Sequence, residues 1–226
     1  MPPFSKKPFT HGFGRIPSPP DSRDYKMAAA VAELEKLPRP EKTWHSDKVL
    51  NQGKTVHCVG FSWAGWGISM PVEDPWSDAM GHEIYRACKV VDREPTAENG
   101  STVRSGAKVM RKRGKISSYF FSYSIDEAAD YVAKYGPVVL GTNWYEGMNS
   151  PSLFSGRIRP TGQIVGGHAY LWIGVTKTEA IFRNSWGIGW GKSGDARMLL
   201  TDLKYVFRDR GEACAATERA LSIGGR

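Results

Sequence analysis

The stretch "NQGKTVHCVGFSWAG" (residues 51–65) changes character in its middle. Asn51, Gln52, Gly53 and Lys54 have the composition of a turn. From Val59 through Phe61, Trp63, Ala64 and Trp66 the residues are apolar or small, and the pattern predicts a buried helix over 59–70. Cys58 stands at the junction. The first turn of a helix carries unpaired N–H groups and the positive end of the macrodipole, so a thiol placed there is expected to ionise more easily. A lone cysteine beside a buried helix is also a common small core residue, and this stretch alone leaves both readings open.

Two later stretches separate them. "GGHAYLWIGV" (166–175) sets His168 after a glycine pair, Gly166 and Gly167, at the start of an apolar strand. The glycines leave room for an extended backbone, and the strand fixes the ring. "FRNSWGIGWG" (182–191) sets Asn184 at the end of the next strand. Adjacent strands of a hairpin present such residues side by side. An amide can hold one imidazole nitrogen and leave the other facing a thiol, which supplies nucleophile, base and orienter together.

The interval of six from Gln52 to Cys58, the Phe61-Ser62 pair, Gly167-His168-Ala169, and "NSWGIGWG" from Asn184 occur in this order. On these motifs the chain resembles the papain-family cysteine peptidases. The resemblance covers roughly 46–205 and extends more weakly to "IPSPPDSRDY" (16–25), which is similar to the arm of the short bacterial and phage-type branch. It implies an α+β, two-lobed fold with a cleft between a helical lobe (mainly 46–123) and a β-rich lobe (mainly 131–205). The expected organisation is an extended arm over 1–26 followed by a peptidase domain over 27–226.

The resemblance also implies roles. Cys58 would be the nucleophile and His168 its partner and general acid. Asn184 would orient the imidazole, and Trp186 would shield that hydrogen bond and border the substrate site. Gln52 would donate to the oxyanion beside the Cys58 backbone N–H. Gly100, within "ENGSTVRSGAKVMRKRG" (98–114), and Gly167 would line the substrate cleft. The implied activity is peptide-bond hydrolysis through an acyl-enzyme, with a peptide or protein substrate and neither cofactor nor metal. Other acyl transfer on the same dyad, such as cell-wall peptide cleavage or transpeptidation, is the first alternative. A papain-like binding or virion-structural module is the second.

The chain departs from the family pattern near the nucleophile. Thr55 replaces a cysteine, so the usual disulfide is absent; Val56-His57 replaces a small pair; Val59 replaces a tryptophan. His57 adjoins Cys58 in sequence, but neighbours at a helix start point in different directions, which leaves His168 as the expected base. Only 57 residues precede Cys58, too few for a large helical pro-domain.

Composition bounds the rest. With 226 residues, 40% hydrophobic residues and eight Trp, the chain is globular. The net charge of +8 is partly concentrated in "VRSGAKVMRKRGK" (103–115), read as a solvated helix face. No aromatic residue is interleaved there to stack bases, which argues against nucleic acid. No apolar run suits a secretory signal or a membrane span, so the expected location is cytoplasmic or virion-associated, with Cys58, Cys88 and Cys214 reduced. Further helices are expected over 27–37, 76–91, 101–113 and 124–136, the last capped by Ser124 with Glu127 completing a capping box. After Gly136, "PVVLGTNWY", "AYLWIGVT", "EAIFRNSW" and "DARMLL" read as strands. The proline-rich arm carries Phe4, Phe9, Phe13 and Tyr25. It is expected to lie extended along the body, anchored by Tyr25 and the Arg23/Asp24 pair, where it can reach the cleft or a protein partner.

Overall fold

The computed structural model describes residues 11–22, 25–26 and 38–218. The helix expected over 27–37, residues 1–10 and the Arg23/Asp24 pair lie outside the described residues. Those described form five α-helices: α1 (Cys58–Ile68), α2 (Asp78–Val91), α3 (Val103–Lys112), α4 (Ile125–Lys134) and α5 (Leu200–Phe207). None of them is long and apolar enough to cross a membrane.

The strands are β1 (Arg15–Ile16), β2 (Tyr25–Lys26), β3 (Lys42–Thr43), β4 (Ser101–Thr102), β5 (Ile116–Ser122), β6 (Val138–Tyr145), β7 (Ile164–Val175), β8 (Glu179–Arg183), β9 (Asp195–Leu199) and β10 (Glu212–Glu218). One sheet runs β2-β5-β10-β6-β7-β8-β9, with β3 also paired to β7, and a separate two-stranded ladder joins β1 to β4. The α+β class and the two-lobed arrangement expected from the sequence are present.

β7 explains how the two lobes share a core. Its residues alternate between two apolar clusters. Ala169, Leu171 and Ile173 join the cluster built around α1, α2 and α3. Tyr170, Trp172 and Val175 join the cluster under α4 and α5. With both faces covered, the strand becomes the near-continuous apolar run "AYLWIGV".

α1 is likewise surrounded, and all eleven of its residues are buried. It starts one residue earlier than expected, so Cys58 is its first helical residue, and it ends at Ser69, whose hydroxyl donates to the Gly65 carbonyl at 2.8 Å. Its small residues serve close approach. A Cβ on Gly60 would lie 2.3 Å from the Gly81 carbonyl oxygen and 2.6 Å from the Tyr85 nitrogen, both backbone atoms of α2.

Three local expectations change. Ser101 and Thr102, read as helical, form β4 instead, because β1 pairs with them and Thr102 then caps α3 by accepting from the Ser105 N–H at 3.0 Å. Ser124 caps α4 by accepting from the Glu127 N–H, but the Glu127 carboxylate accepts from the Ser122 hydroxyl at 2.8 Å instead of closing the box. β5 lies between two expected helices within the expected helical lobe, and β10 lies beyond the last expected strand, yet the two pair over most of their length inside the sheet. The basic face of α3 is the solvated surface expected: Lys108, Arg111 and Lys112 are exposed.

Gly60→Ala should lower stability by about 1–3 kcal/mol, because neither backbone atom facing the new methyl can move alone. Thermal denaturation beside wild type measures it; an unchanged melting temperature would show that the α1–α2 contact is looser than described.

Candidate active site

Four segments converge on Cys58. The turn before α1 supplies Gln52, β7 supplies His168, the loop after β8 supplies Asn184 to Trp186, and the loop before β4 supplies Gly100. The first and third are laced together, since the Gln52 N–H donates to the Ser185 carbonyl at 2.8 Å and the Gly187 N–H to the Leu50 carbonyl at 3.0 Å. Ser185 also donates its hydroxyl to Gln52 Oε1 at 2.7 Å, which turns Gln52 Nε2 toward the cleft. Ser185 was not singled out by sequence reasoning, although it lies inside the "NSWG" motif.

The backbone N–H of Ser185 donates to Asn184 Oδ1 at 2.8 Å. That oxygen therefore faces His168, whose Nε2 lies 2.9 Å away. An oxygen acceptor there makes Nε2 the protonated nitrogen of the neutral ring and leaves Nδ1 with the lone pair. Among the described residues His168 Nδ1 is buried without a hydrogen-bond partner. The next residue, Ala169, directs its backbone N–H at the Cys58 thiol, as do Gly14 and Val59. Trp186 covers the imidazole with ring centroids 4.7 Å apart, and Trp144 meets its edge at 4.8 Å. Trp144 is a further site residue that sequence reasoning missed; nothing in "VVLGTNWY" marks it apart from a core aromatic.

Gly100 adopts φ +91°, a left-handed conformation suited to glycine. Its N–H donates to the Tyr85 hydroxyl at 3.2 Å, and its carbonyl accepts from Lys89 Nζ at 3.0 Å. His57 turns away from the cleft. It stacks on Tyr85 with centroids 3.7 Å apart, and its ring nitrogens bond His82 Nδ1 and Glu98 Oε2, each at 2.8 Å.

The cleft is filled by the chain's own residues 11–16, "HGFGRI". Side chains alternate along this extended segment. His11 stacks on Trp186 at 4.9 Å, and Phe13 meets the rings of His168 and Trp186 edge-on at 5.8 Å and 5.9 Å. Gly12 and Gly14 face the opposite wall. A Cβ on Gly14 would lie 1.8 Å from the Val56 carbonyl oxygen, and one on Gly12 would lie 2.1 Å from that of Thr55. Gln52 Nε2 donates to the Gly12 carbonyl at 3.1 Å, and the Ser101 N–H donates to that of Gly14 at 2.8 Å. The Arg15 carbonyl abuts Gly167. The structure thus brings the expected residues together, with the arm against Gln52, Cys58, Gly100, Gly167, His168 and Trp186 and with Asn184 behind His168. Among the described residues the arm is also held by Arg15, which is buried and ion-paired with Glu212 at 2.9 Å.

The electrostatics of this closed state overturn the expected easy ionisation of Cys58. Burial pushes the thiol up to about 11 against an ordinary 9.0, outweighing the three backbone N–H groups and the Arg15 charge that favour the thiolate. Burial likewise lowers His168 to about 4, with the Asn184 bond opposing that shift and the His11 charge adding to it. Under the arm the pair is thiol and neutral imidazole.

No protein-family model and no curated protein matches the chain in sequence. Solved structures do resemble it. Xylellain, a cysteine protease from Xylella fastidiosa, superposes with a TM-score of 0.74 at 19% identity, covering 95% of this chain and 99% of that one. A digestive procathepsin L 3 of Tenebrio molitor larval midgut gives 0.61 at 17% identity, over 92% and 76%. The Carica candamarcensis cysteine protease CMS1MS2, in complex with E-64, gives 0.60 at 16% identity, over 81% and 100%. The chain has the papain-like cysteine protease fold.

The raised thiol pKa makes two linked predictions. The folded state holds a proton that an ordinary thiol releases between pH 9 and 11, so stability is full below pH 9 and falls as pH rises through that window. The slope from one such group is at most about 1.4 kcal/mol per pH unit, and Cys58→Ser should remove it from the melting-temperature profile. Iodoacetamide should modify Cys58 slowly at pH 7, and Gly14→Val, which cannot fit beneath Val56, should speed the reaction on the order of 100-fold. Equal rates would mean that the arm does not protect the thiol.

Proposed function

We propose that the chain is a thiol peptidase acting through Cys58 and His168, and that its own arm holds it latent. The observation that carries this reading is the occupant of the cleft: an extended peptide segment lies against Cys58, Gln52, Gly100 and His168 together.

The chemistry follows from the groups present. With the arm withdrawn and water admitted, the burial that holds the thiol and imidazole neutral is relieved, and the proton of Cys58 passes to His168 Nδ1. Asn184 retains Nε2–H and so keeps Nδ1 aimed at the sulfur. The thiolate attacks the scissile carbonyl carbon. The resulting oxyanion takes hydrogen bonds from Gln52 Nε2 and the Cys58 backbone N–H. Collapse expels the amine, which takes its proton from His168, and leaves a thioester. His168 then accepts a proton from water, which attacks the thioester and releases the acid and free Cys58. Trp186 and Trp144 keep water from the Asn184–His168 bond.

The arm is suited to the cleft: the Gly12 carbonyl accepts from Gln52 Nε2, and the Gly14 N–H lies beside the thiol.

Peptide turnover tests both parts. Gly14→Val should raise turnover well above wild type, and Cys58→Ala in that background should abolish it. Gln52→Ala in the same background should lower kcat by about 100-fold or more with little change in KM. Turnover that survives loss of Cys58 would refute the assigned nucleophile, and a wild type as active as Gly14→Val would refute latency.

A further inference from the structure

Between β6 and β7 the chain makes a turn, "SPSLFSGR" (150–157), whose tip neither the core nor the cleft uses. The turn is fastened at its base. The Ser152 N–H donates to the Arg157 carbonyl at 2.9 Å, and the Gly156 N–H to the Ser152 carbonyl at 2.7 Å. Gly156 takes φ +68°, which closes the turn. Its exit is stitched to β9: the Arg197 N–H donates to the Gly156 carbonyl at 2.9 Å, and the Ile158 N–H to the Arg197 carbonyl at 2.8 Å. At its entry, Trp190 Nε1 donates to the Asn149 carbonyl at 2.9 Å.

The tip carries Leu153 and Phe154, 99% and 98% exposed. Single apolar residues scattered on a surface need no account, but two large neighbours held away from the body do. A turn that only connected two strands would carry polar residues there. Ile188, in the neighbouring loop that supplies Trp190, is exposed as well.

The charge around the tip is one-sided. Arg157 and Arg159 follow it in the chain, Arg197 lies on the paired strand, and Lys192 lies against Gly156; all four are exposed. The nearby carboxylates are already engaged. Glu179 is buried and shared between Arg157 and Arg197, and Asp195 pairs with Arg183. A cationic collar therefore stands behind two apolar side chains.

An anionic lipid surface complements both parts. Apolar tips reach the acyl boundary while arginine and lysine remain at the level of the negative headgroups. A groove on another protein would also receive Leu153 and Phe154, but it gives no reason for the cations around them.

We propose that the 150–157 turn is a peripheral membrane anchor, inserting Leu153 and Phe154 into an anionic bilayer surface with Arg157, Arg159, Lys192 and Arg197 against the headgroups. Such attachment needs no membrane-spanning segment. Trp190, which holds the entry of the turn, packs on Trp186 with ring centroids 5.4 Å apart, so the anchor brings the cleft close to the membrane.

Flotation of the full-length protein with vesicles of phosphatidylcholine, alone or with about one-third phosphatidylserine, tests the anchor. Binding should require phosphatidylserine and weaken as salt is raised. Leu153→Ser combined with Phe154→Ser should lower the affinity on the order of 100-fold. The melting temperature of that variant should match wild type, since neither side chain is buried. Arg159→Gln combined with Lys192→Gln should lower the affinity on the order of 10-fold. An environment-sensitive dye on Phe154→Cys should report an apolar medium on anionic vesicles, which attraction between charges alone would not produce. Absence of binding to anionic vesicles, or binding indifferent to the tip variant, overturns the anchor. A tip variant that leaves vesicle binding unchanged but alters the oligomeric state, or the turnover of protein substrates by Gly14→Val protein, overturns it in favour of a second copy or a protein substrate.

Discussion

The close approach of two backbones beside Cys58 governs the rest of the structure. Gly14 passes the Val56 carbonyl at a distance no side chain permits, and its own carbonyl lies against Gly100 in the same way. Because the arm can come this near, the Ser101 N–H and Gln52 Nε2 find carbonyls to bond, and Phe13 seals the imidazole. Because it seals the imidazole, water is excluded from both ionisable groups. The neutral state of Cys58 and His168 is thus a consequence of the steric fit between Gly14 and Val56, more than of any charge placed near them.

That neutral state has a property relevant to control. A thiol beside a neutral imidazole carries two exchangeable protons, and so does a thiolate beside an imidazolium. Exchanging the first pair for the second as the arm leaves takes up no proton. Over the pH range in which both descriptions hold, the Cys58–His168 pair gives the arm equilibrium no pH dependence of its own. The work of release must come from elsewhere: from separating the buried Arg15–Glu212 pair, from exposing Phe13 and His11, and from the β1–β4 ladder.

The sequence made the centre of this site legible because its chemistry needs fixed residue types in fixed local settings. Cys58 after a turn, His168 after two glycines and Asn184 before a Ser-Trp-Gly run each carry local signals that survive without tertiary information. Gln52 was expected only through the resemblance, which its interval of six to Cys58 helps to carry. What the sequence concealed is set by long-range geometry. Glu212 meets Arg15 across nearly the whole chain, and no pattern around either residue announces a pair. β10 hides for a related reason: "GEACAATE" is weakly apolar by composition, and only its position between β5 and β6 makes it a central strand. The ionisation of Cys58 was misjudged because a helix N-terminus can be read from sequence, whereas burial by a segment more than 40 residues upstream (58 − 14 = 44) cannot.

The departures around the nucleophile belong to the same fit. Val56 presents its carbonyl and its Cβ to Gly14, so a bulky residue at 56 is matched by the missing side chain at 14. His57 takes its ring away from the cleft to His82, Glu98 and Tyr85, and Tyr85 in turn accepts from the Gly100 N–H. The residue beside the nucleophile is thereby tied, through one stacked ring, to the opposite wall of the cleft. Lys89 reinforces that wall from the same helix as Tyr85, bonding Glu94, Asn99 and the Gly100 carbonyl. Residues that look like losses against a small-residue pattern instead brace the two sides between which the arm is held. The substitutions at 56 and 57, the glycines at 12 and 14 and the left-handed Gly100 form one steric unit, and altering any of them alone disturbs the approach on which the closed state rests.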